Sequence, residues 1–319
     1  MNIVILERSS VGMDVSVDSL KELGNVTVYN TTAYEEIKER IKDADIIIAN
    51  KSKMNEETLK DAKNVKLICE FATGFDNVDL DYCRKRNIGV CNVRDYSTEM
   101  VAQHTFAMAL FLSEKLAHYD DFVKSGKYAN HNRFSYFDIP FKELAGKTWG
   151  IIGMGNIGRK VASIAKAFGC KVIFYSITGK SSVTEYERVD FDTLLKESDF
   201  LSIHCPLSDL SRGLIDAKAL KKMKKTAYLI NVARGPIVKQ QDLYDALVNE
   251  EIAAAGLDVL EQEPIAKDNP LQKITDSTKL IITPHLAWAS VEARERCVSM
   301  TYDNIRAFMD GKELCRVDK

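Results

Sequence analysis

Three residues with acid–base or anion-binding side chains each follow a short apolar run in the second half of the sequence. Arg234 follows INVA, Glu263 comes soon after AAAGLDVL, and His285 follows LIITP. A histidine transfers protons near neutral pH, and a neighbouring carboxylate stabilises its protonated ring. An arginine holds a carboxylate through two parallel hydrogen bonds. These side chains therefore suit a reaction in which a proton moves to or from the oxygen of a small acid while hydride moves at the adjoining carbon.

A glycine-rich pattern of the form G-x-G-x-x-G lies earlier in the same half, and it reads Gly153-Met154-Gly155-Asn156-Ile157-Gly158. By itself the pattern also fits an ordinary tight turn. Here a predicted strand (148–153) leads into it and an amphipathic helix (156–169) follows it, which is the setting of a dinucleotide-binding loop. The first glycine permits the turn, the second admits a pyrophosphate, and the third allows close helix packing. We therefore predict that these six residues bind NAD(H) or NADP(H).

The choice between the two cofactors depends on the residues after the next predicted strand (170–176). Ser176 occupies the position that usually bonds the adenosine ribose, and Lys180 follows nearby. A serine does not repel a 2′-phosphate as a carboxylate would, and Lys180 could attract one. In the alternative interpretation, Ser176 bonds the ribose of NAD and Lys180 is a solvated charge. The residues leave both possibilities open.

The elements that position these residues form two series of short β-branched runs alternating with helical patterns, which is typical of parallel sheets. The amphipathic stretch at 33–44 in the first series places Ile37 and Ile41 on one face. Five strands in this alternation indicate a small flavodoxin-like unit. The predicted strands of the first series are NIVILE (2–7), VTVYN (26–30), DIIIAN (45–50), KLICEF (66–71) and GVCNV (89–93).

The second series begins at Thr148 and indicates a doubly wound, Rossmann-type cofactor domain. Its helices include 156–169 and 240–250. The predicted strands are TWGIIG (148–153), CKVIFYS (170–176), DFLSIHC (199–205), AYLINVA (227–233), AAAGLDVL (253–260) and KLIITP (279–284). Arg234, Glu263 and His285 thus all lie beyond the carboxyl ends of parallel strands, where ligands bind in open α/β sheets.

Two helices connect the series. The first is predicted to run from about Ser97 to residue 125, and its early turns are apolar nearly all round: Val101, Phe106, Met108, Leu110, Phe111 and Leu112. A helix without a polar face is buried, often between subunits as well as against its own core. The second, at about 290–310, could return the chain to the first series. We therefore predict a substrate domain at 1–98 plus 287–319 and a dinucleotide-binding domain at 99–286.

Composition and charge exclude several other classes of protein. The 319 residues include 44 basic and 46 acidic ones, so no basic excess indicates nucleic acid binding. The start, MNIVILER, lacks the features of a secretion signal, and no apolar run approaches the roughly 18 to 20 residues that span a bilayer. Seven scattered cysteines without a C-x-x-C pair favour reduced thiols over disulfides or a structural metal. We expect a cytoplasmic protein of two domains.

The sequence as a whole resembles the D-isomer-specific 2-hydroxyacid dehydrogenases, from the first strand to the last helix. The resemblance implies two doubly wound parallel-sheet domains around a cleft, an NAD(P)-dependent oxidation of a CH–OH group, and usually a homodimer built on the VAQHT helix. The matching blocks are ATGFDNVD (72–79), VAQHT (101–105), GKTWGIIGMGNIGR (146–159), HCPL (204–207), LINVARGPIV (229–238), AGLDVLEQEP (255–264) and TPHLAWAS (283–290).

The resemblance also implies roles for particular residues. Arg234 would orient the substrate carboxylate and carbonyl, and Glu263 would pair with His285, the acid/base. Asp258 would meet the nicotinamide carboxamide. In the substrate domain, the backbone around Thr73 and Gly74 would meet the substrate carboxylate, with an ordinary strand-to-helix turn as the alternative.

Further expectations concern the cofactor pocket and the other histidines. The pocket is expected to be lined by His204, Cys205, Pro206, Val232 and Ala233, with His204 in a non-catalytic role. His104 lies inside the apolar helix and is expected to be a packed interface residue, whereas His118 and His131 belong to no motif.

Departures from the family pattern bear on the substrate. Trp288 stands where many relatives have glycine, and this block resembles the glycerate dehydrogenase (hydroxypyruvate reductase) branch. We therefore expect reduction of hydroxypyruvate or glyoxylate, or oxidation of D-glycerate, with Trp288 among the substrate contacts. Phosphoglycerate oxidation stays open because Lys51 and Lys53 would flank the cleft. A nicotinamide-sensing binding protein of the corepressor type also stays open, whereas formate dehydrogenases carry Gln where Glu263 stands.

Overall fold

The computed structural model describes every residue from Met1 to Lys319, and the contacts within it divide the chain into two units. The first unit contains Met1–Ser97 and Trp288–Lys319, and the second contains Thr98–Ala287. Each unit has its own sheet, with five strands in the first and seven in the second, and every strand pair is parallel.

The sheet of the first unit has the order β2-β1-β3-β4-β5, which is the flavodoxin-like order. All five predicted strands form, each somewhat shorter than predicted. The amphipathic stretch at 33–44 forms a 3₁₀ turn and a short helix that buries Ile37 and Ile41. The elements are β1 (Asn2–Ile5), β2 (Asn25–Val28), α1 (Ile37–Ile41), β3 (Ile46–Ala49), α2 (Glu56–Leu59), β4 (Leu67–Glu70), α3 (Leu80–Lys85) and β5 (Gly89–Cys91).

The sheet of the second unit has the order β12-β11-β10-β9-β6-β7-β8, so the doubly wound arrangement is confirmed. The six predicted strands form, and β8, which has only two residues, was not predicted. The elements are α4 (Thr98–Ser113), α5 (Leu116–Lys124), β6 (Thr148–Ile152), α6 (Asn156–Ala167), β7 (Lys171–Tyr175), β8 (Glu187–Arg188), α7 (Phe191–Glu197), β9 (Phe200–Ile203), α8 (Ala217–Lys222), β10 (Tyr228–Asn231), α9 (Gln240–Val248), β11 (Ala254–Leu257) and β12 (Leu280–Ile282).

The prediction of one continuous helix from Ser97 to residue 125 is wrong, because the helix breaks at Lys115. Lys115 has φ of 57°, a left-handed backbone that is uncommon outside glycine. Its ammonium group donates to the carbonyl of Thr278 at 3.0 Å and lies 5.5 Å from the centre of the Tyr228 ring. The break is thus held by residues more than a hundred positions away in the sequence.

Helix α4 packs across the second sheet against β10, β11 and α6. Phe106 stacks on Trp149 of β6 with ring centres 4.4 Å apart, and Trp149 is fully buried. The helix is not buried all round, since Gln103 and Ala107 are exposed and two of the predicted apolar residues, Leu110 and Phe111, are only half-buried.

The last helix, α10 (Val291–Met309), belongs to the first unit and packs on β4. It begins after Ser290, whose hydroxyl accepts from the amide of Ala293 at 3.3 Å and so serves as the N-cap. Asn304 of this helix donates to the carbonyl of Asn92 at 2.9 Å. A buried hydrogen bond of this kind ties the C-terminal part of the chain to the strand-end loops of the first unit.

Candidate active site

The glycine-rich turn directly follows β6 and leads into α6. Gly153 has φ of 92°, and a Cβ there would lie 2.9 Å from the backbone of Cys205. A Cβ at Gly158 would lie 2.2 Å from the carbonyl oxygen of Gly153. The packing of the protein therefore demands glycine at both positions.

Gly155 differs from the other two glycines, because a Cβ at this position would meet no protein atom within 4 Å. The packing of the chain gives no reason for glycine here, whereas the close approach of a pyrophosphate does. Asn156 begins α6 immediately afterwards, so the first amides of the helix lie at the same turn. The turn, which also includes Met154 and Ile157, thus fits a dinucleotide phosphate.

His204, Cys205 and Pro206 follow β9, next to the glycine-rich turn, and the amide of His204 donates to the carbonyl of Ile152 at 2.8 Å. Both ring nitrogens of His204 are shielded from solvent and have no hydrogen-bond partner in the protein. Burial lowers the pKa of His204 to about 3, so its ring is neutral, and burial raises the pKa of Cys205 to about 12. Neither side chain suits proton transfer near neutral pH.

The turn after β7 places two cations near the predicted ribose position. Ser176 directly follows the strand, and its carbonyl accepts from the amide of Gly179 at 3.0 Å. Lys180 is exposed at the end of this turn. The guanidinium of Arg188 donates to the carbonyl of Gly179 at 3.0 Å. Arg188 was not predicted, because only the pairing of β8 with β7 brings it to the turn.

Arg234 lies in the loop after β10, together with the partly or fully buried Val232 and Ala233. The fully buried side chain of Asn231 holds the loop. Its Nδ2 donates to the carbonyl of Arg234 at 2.9 Å, and its Oδ1 accepts from the backbone amide of Ala233 at 3.1 Å. A Cβ at Gly235 would lie 1.9 Å from the carbonyl carbon of Leu260, so the loops after β10 and β11 are in direct backbone contact.

His285 and Glu263 form a close pair. Nδ1 of His285 lies 2.6 Å from Oε2 of Glu263, and the other carboxylate oxygen accepts from the amide of Leu260 at 2.9 Å. The side chains are 27% and 34% exposed, so the pair is open to a ligand. Since a carboxylate only accepts hydrogen bonds, Nδ1 carries a proton directed at Glu263, and Nε2 is the nitrogen that can exchange one.

Asp258 is 1% exposed and binds the loop that carries His285. Its Oδ1 accepts from the hydroxyl of Thr283 at 2.6 Å and from the amide of Leu286 at 2.8 Å, and its Oδ2 accepts from the amide of Ala287 at 2.8 Å. His285 has φ of 55°, and its amide donates to the carbonyl of Asp258 at 2.8 Å. Asp258 therefore fixes a strained loop, a role that the sequence did not indicate, and the predicted nicotinamide contact stays a prediction.

The predicted substrate contacts Thr73, Gly74 and Trp288 belong to the first unit, whereas Arg234 and His285 belong to the second. The hydroxyl of Thr73 donates to the carbonyl of Val93 at 2.8 Å, which fixes the turn after β4. The Trp288 ring packs edge-on against Tyr96, with centres 6.1 Å apart. Their contacts with substrate stay predictions.

The comparisons with known proteins agree with this geometry. Residues 106–287 match the profile of the D-isomer specific 2-hydroxyacid dehydrogenase, NAD binding domain. The chain is 36% identical to a hydroxypyruvate reductase of Blautia hydrogenotrophica, over 100% of both proteins. It is 37% identical to a glycerate dehydrogenase of Methylorubrum extorquens, over 97% of this chain and 96% of that protein.

Among solved structures, a D-lactate dehydrogenase from Aquifex aeolicus in complex with NAD and lactic acid superimposes with a TM-score of 0.83 at 33% identity, over 98% of this chain and 96% of that one. The chain belongs to the D-isomer-specific 2-hydroxyacid dehydrogenase family, so the resemblance noted in the sequence is confirmed. It is an oxidoreductase that acts on a CH–OH group with a nicotinamide cofactor. None of its helices is both long and apolar enough to cross a membrane.

Proposed function

We propose that the protein reduces a short 2-keto acid, hydroxypyruvate or glyoxylate, to the D-2-hydroxy acid, and also catalyses the reverse reaction. The 2.6 Å contact between His285 and Glu263, on loops after adjacent strands, carries the proposal. The relatives named hydroxypyruvate reductase and glycerate dehydrogenase support the choice of substrate.

In this proposal the chain's own residues bind, orient and protonate the substrate. When bound, the nicotinamide cofactor supplies or accepts the hydride. Arg234 binds the substrate carboxylate through its planar guanidinium and so sets the direction of the keto group. Nε2 of His285 donates a proton to the keto oxygen in reduction and accepts it in oxidation, while Glu263 stabilises the charged ring.

A panel of keto acids assayed with NADH and with NADPH tests the proposal. We expect the highest kcat/KM with hydroxypyruvate or glyoxylate, and lower values with pyruvate and with 3-phosphohydroxypyruvate. Chiral analysis of the product should show the D-isomer. If no keto acid oxidises either cofactor while both cofactors bind, the chain is a nicotinamide-binding protein and the proposed activity is wrong.

We also propose that the turn at 176–180 accepts the 2′-phosphate of NADPH. Ser176 carries no charge that would repel this group, and both Lys180 and Arg188 lie at the turn. Replacing both cations with alanine should raise the KM for NADPH by about tenfold and leave the KM for NADH within about twofold, because only one cofactor carries the extra phosphate. An equal effect on both cofactors would contradict this assignment.

We propose that the protein is a homodimer in which the segment after α5 contributes to the interface. Phe134, Phe137 and Phe141 are 91%, 85% and 54% exposed. The segment is nevertheless anchored, because Tyr136 stacks on Phe122 of α5 with ring centres 3.8 Å apart. Exposed apolar clusters of this kind mark interaction surfaces, and the family resemblance implies a second copy as the partner.

Light scattering after size-exclusion chromatography tests the dimer. The double variant Phe134→Ser and Phe137→Ser should lower the measured mass towards that of one chain. Met13, which is 65% exposed in the first unit, provides the control Met13→Ser with no expected change in mass. A wild-type protein that elutes as a monomer at micromolar concentration would refute the proposal.

The proposal places the enzyme in the cytoplasm. All seven cysteines are free thiols, and a reducing compartment keeps thiols in this state. Fractionation of cells that express the chain, followed by immunoblotting, should recover it with cytoplasmic markers.

A further inference from the structure

His104 connects the interior of α4 to the loop of the catalytic pair. The residue is 9% exposed, and its Nε2 lies 3.1 Å from the hydroxyl oxygen of Thr283. The same nitrogen lies 3.7 Å from Oδ1 of Asp258. Thr283 is thus placed between the histidine of one element and the carboxylate of another.

The direction of the hydrogen bonds follows from the number of protons available. The hydroxyl of Thr283 has one proton, and Oδ1 of Asp258 at 2.6 Å can only accept a hydrogen bond. The hydroxyl proton therefore points to Asp258, and the hydroxyl oxygen must accept from His104. This requires a proton on Nε2 of His104. Burial lowers the pKa of His104, with the Asp258 charge acting in the opposite direction, so the ring is neutral and carries its proton on Nε2.

The chain of donors ends at the carboxylate of Asp258, which also accepts hydrogen bonds from the backbone that follows the strained His285. The donors are the amides of Leu286 and Ala287, at 2.8 Å each. The amide of His285 donates to the carbonyls of Asp258 and Thr283. A change in the orientation of Thr283 or Asp258 therefore moves the backbone that sets the position of the His285 ring.

We propose that His104 is a positioning residue for proton transfer at His285, acting through the hydroxyl of Thr283 and the carboxylate of Asp258. The proposal rests on the proposed role of His285 as the acid/base. His104 does not exchange the reacting proton itself. Its Nε2–H donates to the hydroxyl oxygen of Thr283, so that the hydroxyl proton of Thr283 is directed to Asp258.

Two polar substitutions with different reach test the donor. In His104→Gln the side-chain amide reaches the position of Nε2 and can donate to Thr283, whereas in His104→Asn it is too short. We expect kcat to fall about tenfold in H104N, the equivalent of one lost hydrogen bond, and to stay within about threefold of wild type in H104Q. The KM for the keto acid should change less than kcat in both variants. Equal kcat values for the two variants, at similar melting temperatures, would overturn the proposal.

A double-mutant cycle tests the path through Thr283. If His104 acts through the hydroxyl, H104N should have no further effect on kcat in a Thr283→Val background, where the acceptor is absent. Multiplicative effects of the two substitutions would refute this path. Thr283→Ser, which keeps the hydroxyl, is the matched control and should restore the effect of H104N.

The tautomer gives a readout that is independent of activity. Nitrogen-15 NMR of the histidine rings in wild-type protein at pH 7 should show His104 neutral and protonated on Nε2, and a ring protonated only on Nδ1 would overturn the proposal. His285→Ala separates this inference from the proposed function. If H285A keeps normal turnover, the acid/base assignment itself is wrong; if H285A is inactive while the His104 variants fail the tests above, only the inference about His104 is wrong.

Discussion

The substitution Asp258→Asn separates the loop-fixing role of this residue from a purely electrostatic one. The carboxylate accepts three hydrogen bonds, from Thr283, Leu286 and Ala287. In the asparagine variant the side-chain oxygen can keep the first two, and the amide nitrogen then faces the amide of Ala287. Two donors meet, and Ala287 is only 2% exposed, so water cannot replace the lost acceptor.

The expected magnitude follows from this geometry. Loss of one charge-assisted hydrogen bond, with a buried amide left unsatisfied, destabilises the unit by about 2 to 4 kcal/mol. For a unit of this size, each kcal/mol lowers the melting temperature by roughly 2 to 4 °C, so we expect a decrease of about 4 to 16 °C. Turnover should fall by about a hundredfold or more, because a displacement of about 1 Å in the position of His285 has an effect of that order.

Differential scanning calorimetry and steady-state kinetics measure the two effects on the same samples. The control is Asp245→Asn, because Asp245 is exposed. Its carboxylate accepts one hydrogen bond, from the side chain of Gln241 at 3.0 Å. We expect the control to remain within about 0.5 kcal/mol of wild type. If D258N melts within 1 °C of the control (about the smallest shift expected for half a kcal/mol) and keeps its turnover, Asp258 does not hold the loop.

Four further predictions concern other residues. His285→Ala should lower turnover by about a hundredfold to ten-thousandfold while cofactor binding, followed by fluorescence, survives. Arg234→Lys keeps the charge but loses the planar fork, so KM for the keto acid should rise and kcat should fall; unchanged constants would place Arg234 outside the site. Ser176→Asp should shift the ratio of kcat/KM values towards NADH by at least about tenfold, and an unchanged ratio would show that this residue does not contact the ribose. Burial raises the pKa of Glu70 from 4.5 to about 8. Between these pH values the carboxyl is protonated in the folded protein and ionised in the unfolded chain, so the free energy of unfolding should fall as pH rises from about 4.5 to about 8. Glu70→Gln should remove this pH dependence when unfolding free energies from melts at pH 5 and pH 9 are compared. The same pH dependence in the variant and the wild type would contradict the raised pKa of Glu70.

Much of the second unit could be predicted from the sequence, because its strands are short, apolar and separated by amphipathic helices. The position of a residue just after such a strand is enough to predict that it lies at the carboxyl edge of the sheet. This is how Arg234, Glu263 and His285 were predicted to converge, and the structure places all three in loops after the adjacent strands β10, β11 and β12.

The features that the sequence did not indicate depend on partners distant in the chain. The residues around Lys115 favour helix locally, and the break exists because Thr278 and Tyr228 hold the lysine side chain. His104 is one polar residue on a largely apolar helix, and its partner Thr283 lies 179 positions away. No local periodicity reports such a pairing, which requires the packing of α4 on the completed sheet.

Buried polar side chains at the strand ends link the stability of the second unit to its activity. Where a strand leaves the sheet, its backbone groups lose their ladder partners, and a buried unpaired group costs about 1 to 3 kcal/mol. Asn231 supplies missing partners to the loop after β10, which carries Arg234, and Asp258 supplies them to the loop after β12, which carries His285. A substitution at either position therefore removes a partner from the backbone and displaces a side chain of the proposed site in the same step. For this reason substitutions at Asn231 and Asp258 should lower both activity and melting temperature, whereas substitutions of the half-buried Arg234 and His285 side chains should lower activity with little change in melting temperature.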